Sequence, residues 1–445
     1  MLQSFQNCFK IPELRTRILF TLGLLIVYRI GGQITVPGVE VRVVQEFFSN
    51  SGNTLFGLYD MFVGGAFTRA TIFALGIMPY ISASIILQLL GAVIPFFQKL
   101  QREGEEGKKK ITQYTRYGTV FLAAAQAYGV SYFLETIRGP ASGLAAVSNP
   151  GLGFTLETII TITTGTIFIM WLGEQITERG IGNGISLIIF IGIVAELPNA
   201  IRYEYQHYLN NINLNKGPIQ EIFLIGLMFL IVAFCILTTQ GIRKIPVQYA
   251  KRVVGRRVYG GQTTHIPLKI NSANVIPIIF AQSIMFLPGT ITQLFPDSEF
   301  LQGIGGLFST ESLVYWTIYG LMIIFFTYFY TAIVMDPNSI ADNMKKHGGF
   351  IPGIRPGPRT AQYIDGIMTR ITLPGSIALA AVAIFPFFVI RQFNVHPSFA
   401  QFFGGTGLLI IVGVALDTLQ QIESQLMTRH YEGFMKKGRI QGRRG

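Results

Sequence analysis

The sequence predicts an all-α polytopic membrane protein with ten transmembrane helices arranged as two inverted five-helix halves. Three observations lead to this prediction. Asp, Glu, Lys and Arg make up only 13% of the 445 residues, about half the share of a typical soluble chain, and the mean hydropathy is +0.46. Ten runs are apolar and approach the length that crosses a bilayer. The basic residues fall mostly in alternate loops between these runs.

The apolar runs follow one another along the chain with polar loops between them. Each is interpreted as one span because a helix rises about 1.5 Å per residue and the hydrocarbon core is about 30 Å thick. The fifth run is short for a span. The spans are predicted near Ile18–Val36, Ala70–Phe97, Tyr117–Leu134, Phe154–Leu172, Gly184–Leu197, Ile219–Thr238, Ala273–Leu294, Leu313–Met335, Ile371–Ile390 and Gly404–Gln420.

Lysine and arginine residues give the orientation of the spans. An even number of spans puts both termini on one side, and a cytosolic position for that side places 28 of the 35 basic residues in the cytosol. We therefore predict cytosolic N and C termini. The predicted organisation is a half at residues 1–200, a half at 201–425 with basic loops at 240–270 and 336–370, and a basic tail at 426–445.

The apolar stretch before Arg69 does not fit a simple span. At about 13 residues it is too short to cross the bilayer, and it contains Asp60 and several glycines. The count of spans requires that it begin and end on the outer side. One interpretation is a re-entrant segment at residues 55–69, surrounded by protein or by a water-filled cavity. The other is a helix that lies on the outer leaflet.

The second and seventh spans hold corresponding places in the two halves. Five spans per half is an odd number, so related halves would have opposite orientations, as in many transporters and channels. Both spans contain Pro-x-Ile-x-Ala, at Pro79–Ala83 and at Pro277–Ala281. Their polar residues indicate either a path through the protein or hydrogen bonds between packed helices. These residues are Ser82, Ser84, Gln88, Asn274, Gln282 and Ser283.

If these spans line a path, branched apolar residues near the polar positions are candidates for a narrow apolar neck. Such a neck would block water and ions by dewetting. The candidates are Ile77, Ile81, Ile185, Ile189 and Ile279.

No pattern in the sequence indicates a metal centre, a catalytic nucleophile or a nucleotide-binding loop. The five histidines are scattered, and the glycines at residues 255–260 lack the Lys and Ser/Thr of a phosphate loop. We therefore predict no cofactor, no enzymatic activity and an external energy source. Within the spans, Asp417 is either the coupling acid of an ion-coupled secondary transporter or part of an aqueous inner vestibule.

The two basic loops carry more than orientation requires. Their arginines are interleaved with tyrosines, glycines and prolines, a texture that suits docking to RNA phosphates or to an acidic protein surface. The candidate docking residues are Arg243, Lys244, Lys251, Arg252, Arg256, Arg257, Arg355 and Arg359.

Several long strings resemble the SecY family of bacterial protein-conducting channels. They lie at Gly64–Ser84, Gly173–Ser186, Tyr249–Arg252, Gly255–Tyr259, Ala341–Lys346 and Phe350–Gly357. The resemblance implies an hourglass channel with a plug and a lateral gate. An unfolded polypeptide would cross the membrane through it, and membrane helices would leave sideways into the lipid.

The resemblance also implies a role for three groups of residues. The pore ring would be Ile77, Ile81, Ile185, Ile189, Ile279 and Ile410. The plug would include Leu58, Asp60, Phe62, Gly64, Gly65, Phe67 and Arg69. The lateral gate would include Ser82, Ile85, Gln88, Ser283 and Leu287, where Phe286 is the neighbouring aromatic residue.

Partners follow from the resemblance as well. The SecE and SecG subunits would complete the complex, and the SecA motor ATPase or the ribosome would dock on the basic loops. Signal sequences and nascent polypeptides would occupy the channel, and anionic lipids would surround it. The expected location is the bacterial cell membrane.

Overall fold

The computed structural model describes residues 11–50, 55–139, 143–211, 218–249, 252–254, 257–259, 263–294, 312–402 and 404–437. Within these ranges most residues are helical, and each predicted span contains most of a helix or lies almost entirely within one, which confirms the helical fold class. Six helices in the described ranges are long and apolar enough to cross a bilayer, and a bent pair of helices adds a seventh span if it is counted as one. The number ten stays a prediction.

The helices are numbered here in chain order. The first ten are α1 (Pro12–Gly31), α2 (Val41–Asn50), α3 (Leu55–Val63), α4 (Met78–Val93), α5 (Pro95–Arg102), α6 (Glu105–Thr136), α7 (Leu152–Arg179), α8 (Gly184–Asn211), α9 (Pro218–Gln240) and α10 (Ile276–Leu294). The others are α11 (Leu313–Val334), α12 (Pro337–Lys346), α13 (Pro358–Phe393), α14 (Pro397–Ala400) and α15 (Gly405–Lys437).

The chain divides into two compact units. The first comprises Met1–Ala200, Phe286–Gly305 and Ile410–Gly445, and the second comprises Ile201–Met285 and Gly306–Leu409. Within the first unit, α6 packs against both α4 and α7, and α1 packs against α7. Within the second unit, α13 packs against α9, α11 and α12.

The second predicted span differs from its expected bounds at both ends. Residues 70–77 are irregular, and the helix begins only at Met78, with Pro79 in its first turn. Ile94 is extended, as expected of a residue that precedes proline, and Pro95 starts α5. The two helices therefore meet at a bend of 101°.

The fifth span is longer than the sequence indicated. The apolar run ends near Leu197, but α8 continues for 28 residues to Asn211 and contains Pro198. The prediction was wrong here because hydropathy detects lipid contact, whereas a helix continues into water wherever its backbone hydrogen bonds are kept.

A small sheet in the second unit adds to the helical fold. Its strands are β1 (Ile242–Tyr249), β4 (Thr263–Lys269) and β5 (Gly349–Phe350), in the order β4-β1-β5 and antiparallel. Strands β2 (Arg252–Val254) and β3 (Arg257–Tyr259) form a separate antiparallel pair. The buried face of the sheet packs on residues of α12 and α13. This core contains Ile245, Val247, Leu268, Met344, Ile351, Ile364 and Met368.

Close backbone contact in the first unit gives a stability prediction at Gly165 of α7. A Cβ at this position would overlap the carbonyl oxygen of Ile72 and crowd the ring of Phe73. The Gly165→Ala substitution must therefore push α7 away from the irregular segment, and we expect it to destabilise the fold by about 1–3 kcal/mol. The midpoint of thermal unfolding of the purified protein in detergent measures the effect.

Gly153 is the matched control on the same helix. A Cβ at Gly153 meets nothing within 4 Å, so Gly153→Ala is expected to leave the unfolding midpoint unchanged or slightly higher. Equal midpoints for the two variants would show that α7 does not approach residue 72 this closely.

Candidate functional site

The segment after α3 is folded back on itself by one carboxylate. Asp60 Oδ1 accepts hydrogen bonds from the backbone N–H groups of Phe67 and Thr68, at 2.8 and 3.0 Å. Asp60 Oδ2 accepts from the Thr68 hydroxyl at 2.8 Å. The acid that the sequence marked within the short apolar segment therefore closes a compact loop. We call residues 55–69 the capped segment.

Burial raises the pKa of the Asp60 carboxyl to about 6, and the nearby carboxylate of Glu196 adds to the increase. The hydrogen bonds from Thr68 and Phe67 oppose it. The three donors favour the ionised form of the carboxyl, which can accept all three bonds.

Helix α1 holds the capped segment through two polar side chains. The Tyr28 hydroxyl donates to the carbonyl oxygen of Val63, and the Arg29 guanidinium donates to that of Gly64, both at 3.3 Å. Further along, the Arg69 guanidinium donates to Gln33 Oε1 at 2.9 Å. The segment is thus fixed to its surroundings by polar contacts as well as by the buried Phe62 and Phe67.

An aromatic contact joins the capped segment to α10. The Tyr59 ring stacks on Phe286, with ring centroids 4.4 Å apart and an interplanar angle of 18°. The Tyr59 hydroxyl also donates to the carbonyl oxygen of Leu75 at 2.7 Å. Phe286, noted in the sequence only as a neighbour of Leu287, therefore contacts α3.

The predicted ring residues share a position in their helices. Ile77 directly precedes α4, and the others lie in the first two turns of α4, α8, α10 and α15. Ile185 is half-buried and packs beside Gly173 of α7. The remaining five are buried. They are Ile77, Ile81, Ile189, Ile279 and Ile410.

The polar residues of the predicted gate bond mostly within their own helices. In α4 the Gln88 amide donates to the Ser84 hydroxyl at 3.1 Å, while Ser82 and Ile85 are buried. In α10 the Ser283 hydroxyl donates to the carbonyl oxygen of Ile279 at 2.8 Å. The side chains of Leu58 and Leu287 lie outside the described part of the structure.

Four of the predicted docking residues are exposed. Arg243 and Lys244 lie on β1, and Arg355 and Arg359 lie between β5 and the first turn of α13. Lys251 and Arg256 lie outside the described residues, as do the side chains of Arg252 and Arg257. In the ranges that the structure describes, no group of three or more His, Cys, Asp or Glu residues could hold a metal ion.

Sequence reasoning missed the residues that hold the capped segment from other helices. Tyr28, Gly192 and Glu196 lie in or next to predicted spans but carry no motif signal of their own. Glu196 is an acid within the fifth predicted span, near its end, and this position is the signal that could have identified it.

Comparison with known proteins gives a family match. The family model of SecY matches residues 71–419. The protein translocase subunit SecY of Thermotoga maritima is 45% identical over 449 residues, covering 100% of each chain. The same subunit from Escherichia coli is 45% identical over 436 residues, covering 97% of this chain and 96% of the relative.

Solved structures show the same fold at low sequence identity. One described as a protein-conducting channel has a TM-score of 0.66 at 18% identity and covers 93% of this chain and 92% of its own. A structure from a study of the SecY plug domain gives 0.61 at 18% identity, with coverage of 93% and 92%. Sec61 in a canine ribosome-channel complex gives 0.62 at 17% identity, with coverage of 93% and 92%.

Proposed function

The chain belongs to the SecY family, and on this premise we propose how its residues serve a protein-conducting channel. It is a protein translocase subunit, since relatives of that name are 45% identical to it over 97–100% of its length. This identity is the observation that carries the function. The conduit is passive, and an external machine moves the unfolded polypeptide through it.

The capped segment acts as the plug. Three features support this: it is a short helix followed by irregular backbone, Asp60 folds it into a compact body, and it is held from α1 by hydrogen bonds that can be broken without unfolding a span. A solved relative of the same fold comes from a study in which the plug domain stabilises the closed state. We assign the same role to residues 55–69.

The six isoleucines act as the pore ring. Their shared place in the first two turns of their helices, and the burial of five of them, support this assignment. An apolar neck makes few favourable contacts with any single side chain, so varied sequences can slide through it. Without a polypeptide it would exclude water and ions by dewetting.

Helices α4 and α10 act as the lateral gate, through Ser82, Ile85, Gln88, Ser283 and Leu287. This assignment is supported by the shared Pro-x-Ile-x-Ala pattern, which places a proline in the first turn of each helix. Hydroxyls that bond within their own helix leave no buried donor unpaired when the partner helix moves away, which suits a seam that opens.

The basic loops form the docking surface for the ribosome or the SecA motor. Exposed arginines on a folded sheet and on the adjoining loop support this, because a rigid basic surface can match phosphates or an acidic protein face. A solved structure of the same fold is part of a ribosome-channel complex, which supports the ribosome as a partner. The proposed complex also contains the SecE and SecG subunits and contacts anionic lipids. It lies in the bacterial cell membrane with the N and C termini of this chain in the cytosol.

Site-specific crosslinking tests the channel path directly. A photoreactive amino acid replaces Ile81, and a secretory polypeptide is stalled during translocation through the assembled complex. We expect crosslinks from residue 81 to the stalled chain, since a ring residue lies at the narrowest point that the chain passes.

Ile86, on the same helix, is the matched control. It is 45% exposed on the surface of the chain, in a helix of the membrane region, and it should contact lipid or another subunit. Crosslinking that is equally strong at residues 81 and 86, or absent at residue 81, would contradict the assignment of α4 to the path.

A further inference from the structure

Two consecutive glycines of the capped segment lie at its closest approach to other helices. Gly64 and Gly65 have φ angles of +70° and +80°, which an L side chain rarely adopts. A Cβ at Gly64 would lie 2.9 Å from the Cα of Gly192 in α8 and 2.7 Å from the guanidinium of Arg29. The turn is therefore enclosed on two sides, by α1 and by α8.

Helix α8 approaches the turn through its backbone. A Cβ at Gly192 would lie 2.8 Å from the carbonyl oxygen of Phe62, so only a glycine lets the helix come this near. One helical turn later, Glu196 reaches the other glycine: a Cβ at Gly65 would lie 2.5 Å from Glu196 Oε1. The second oxygen of Glu196 accepts a hydrogen bond from the Asn199 amide at 3.0 Å, which orients the carboxylate.

Charged side chains of both signs lie around this turn. The Arg29 guanidinium donates to the Gly64 carbonyl oxygen, and Arg69 lies near the same point as Glu196, 3.6 Å from the position of a Cβ at Gly65. Asp60 closes the loop from within. Two guanidinium groups and two carboxylates are thus gathered in a partly buried place, where charge interactions are stronger than in water.

We propose that Arg29 and Glu196 are positioning residues that clamp the Gly64–Gly65 turn from two helices. This polar clamp sets how readily the plug leaves its seat. The inference rests on the proposed plug role of the capped segment and adds what holds it: a charge-assisted hydrogen bond from α1 and an oriented carboxylate from α8, besides apolar packing.

The test measures ion conductance of the assembled, idle channel complex in planar bilayers. Arg29→Gln removes the charged donor to the Gly64 carbonyl oxygen, and Glu196→Gln removes the negative charge beside Gly65 and Arg69. Each is expected to raise the idle conductance about tenfold or more, because interactions of charged groups are strong in a partly buried place. Arg29→Lys keeps the charge and one donor, so we expect it to restore part of the closed state. Arg42→Gln, which removes an exposed charge of α2, is the control and should match the unaltered chain.

A second chain, which lacks residues 57–67, separates this inference from the plug role. If the deletion raises the conductance but Arg29→Gln and Glu196→Gln do not, the plug role stands and the clamp is wrong. If the deletion has no effect, the plug role is wrong and the clamp fails with it.

Discussion

Replacing Arg355 with glutamate is expected to stop most polypeptide translocation while the channel itself stays folded. Arg355 is exposed in the loop between β5 and α13, where its side chain supports no core. A reversed charge there repels the acidic or phosphate surface of a docked machine. Reversal of a cation at a charged interface lowers binding at least about tenfold. Translocation of a secretory protein into vesicles that contain the purified complex and the motor measures the loss.

Two other variants serve as a control for charge reversal and as a test of the ion-coupled transporter alternative. Arg202→Glu reverses an exposed charge in α8, on the predicted outer side, and is expected to leave translocation close to normal. Asp417→Asn removes the half-buried acid of α15, and a passive conduit should retain most of its activity without it. Loss of transport in Asp417→Asn together with normal transport in Arg355→Glu would contradict a channel driven from the basic loops.

The sequence located the helices well because lipid demands long apolar runs with internally satisfied backbones. It located their ends poorly wherever a helix leaves the lipid. Helix α6 begins at Glu105, whereas the apolar run begins near Tyr117, because the charged residues between them continue the helix in water. Helix α13 begins at Pro358 for the same reason, well before the predicted Ile371.

The small sheet of β1, β4 and β5 had a sequence signal that proline obscured. Ile245, Val247 and Tyr249 alternate with the exposed Pro246 and Gln248, as in a half-buried strand. Pro246 between them argues against a central strand, because it lacks a donor. The structure resolves this, since β5 pairs with β1 only at Gln248 and Tyr249, and Pro246 therefore lies where that edge of β1 is open.

The surroundings of the capped segment were beyond sequence reasoning for a different reason. The count of spans predicts a segment that begins and ends on the outer side, and in the structure residues 55–69 contain a short helix and a turn. Its contacts with Arg29 and Glu196 join residues far apart in the chain. No local pattern encodes such pairs, whereas Asp60 bonds to residues seven and eight positions away.

Replacing Ile81 with asparagine is expected to open the idle channel to ions. Ile81 is buried in the first turns of α4, and its apolar side chain makes a narrow neck unfavourable for water. The amide of asparagine offers donors and an acceptor that bind water in the neck. A dry neck would leave this amide without partners at a cost of about a few kcal/mol, so the hydrated neck is favoured. We expect the idle conductance to rise about tenfold or more. Secretory proteins with weakened signal sequences should also pass more easily, because less energy is needed to leave the closed state.

Ile81→Leu keeps an apolar side chain of equal size and is the matched control, with conductance close to that of the unaltered chain. Ile410→Asn tests a second ring position, on a different helix, and should act in the same direction. A combined variant distinguishes the contribution of the ring from that of the plug. A chain without residues 57–67 removes only the plug, so adding Ile81→Asn to it should raise the conductance again if ring and plug are separate barriers. If neither asparagine variant changes the conductance or the tolerance of weak signals, the isoleucines are ordinary core residues and the neck lies elsewhere.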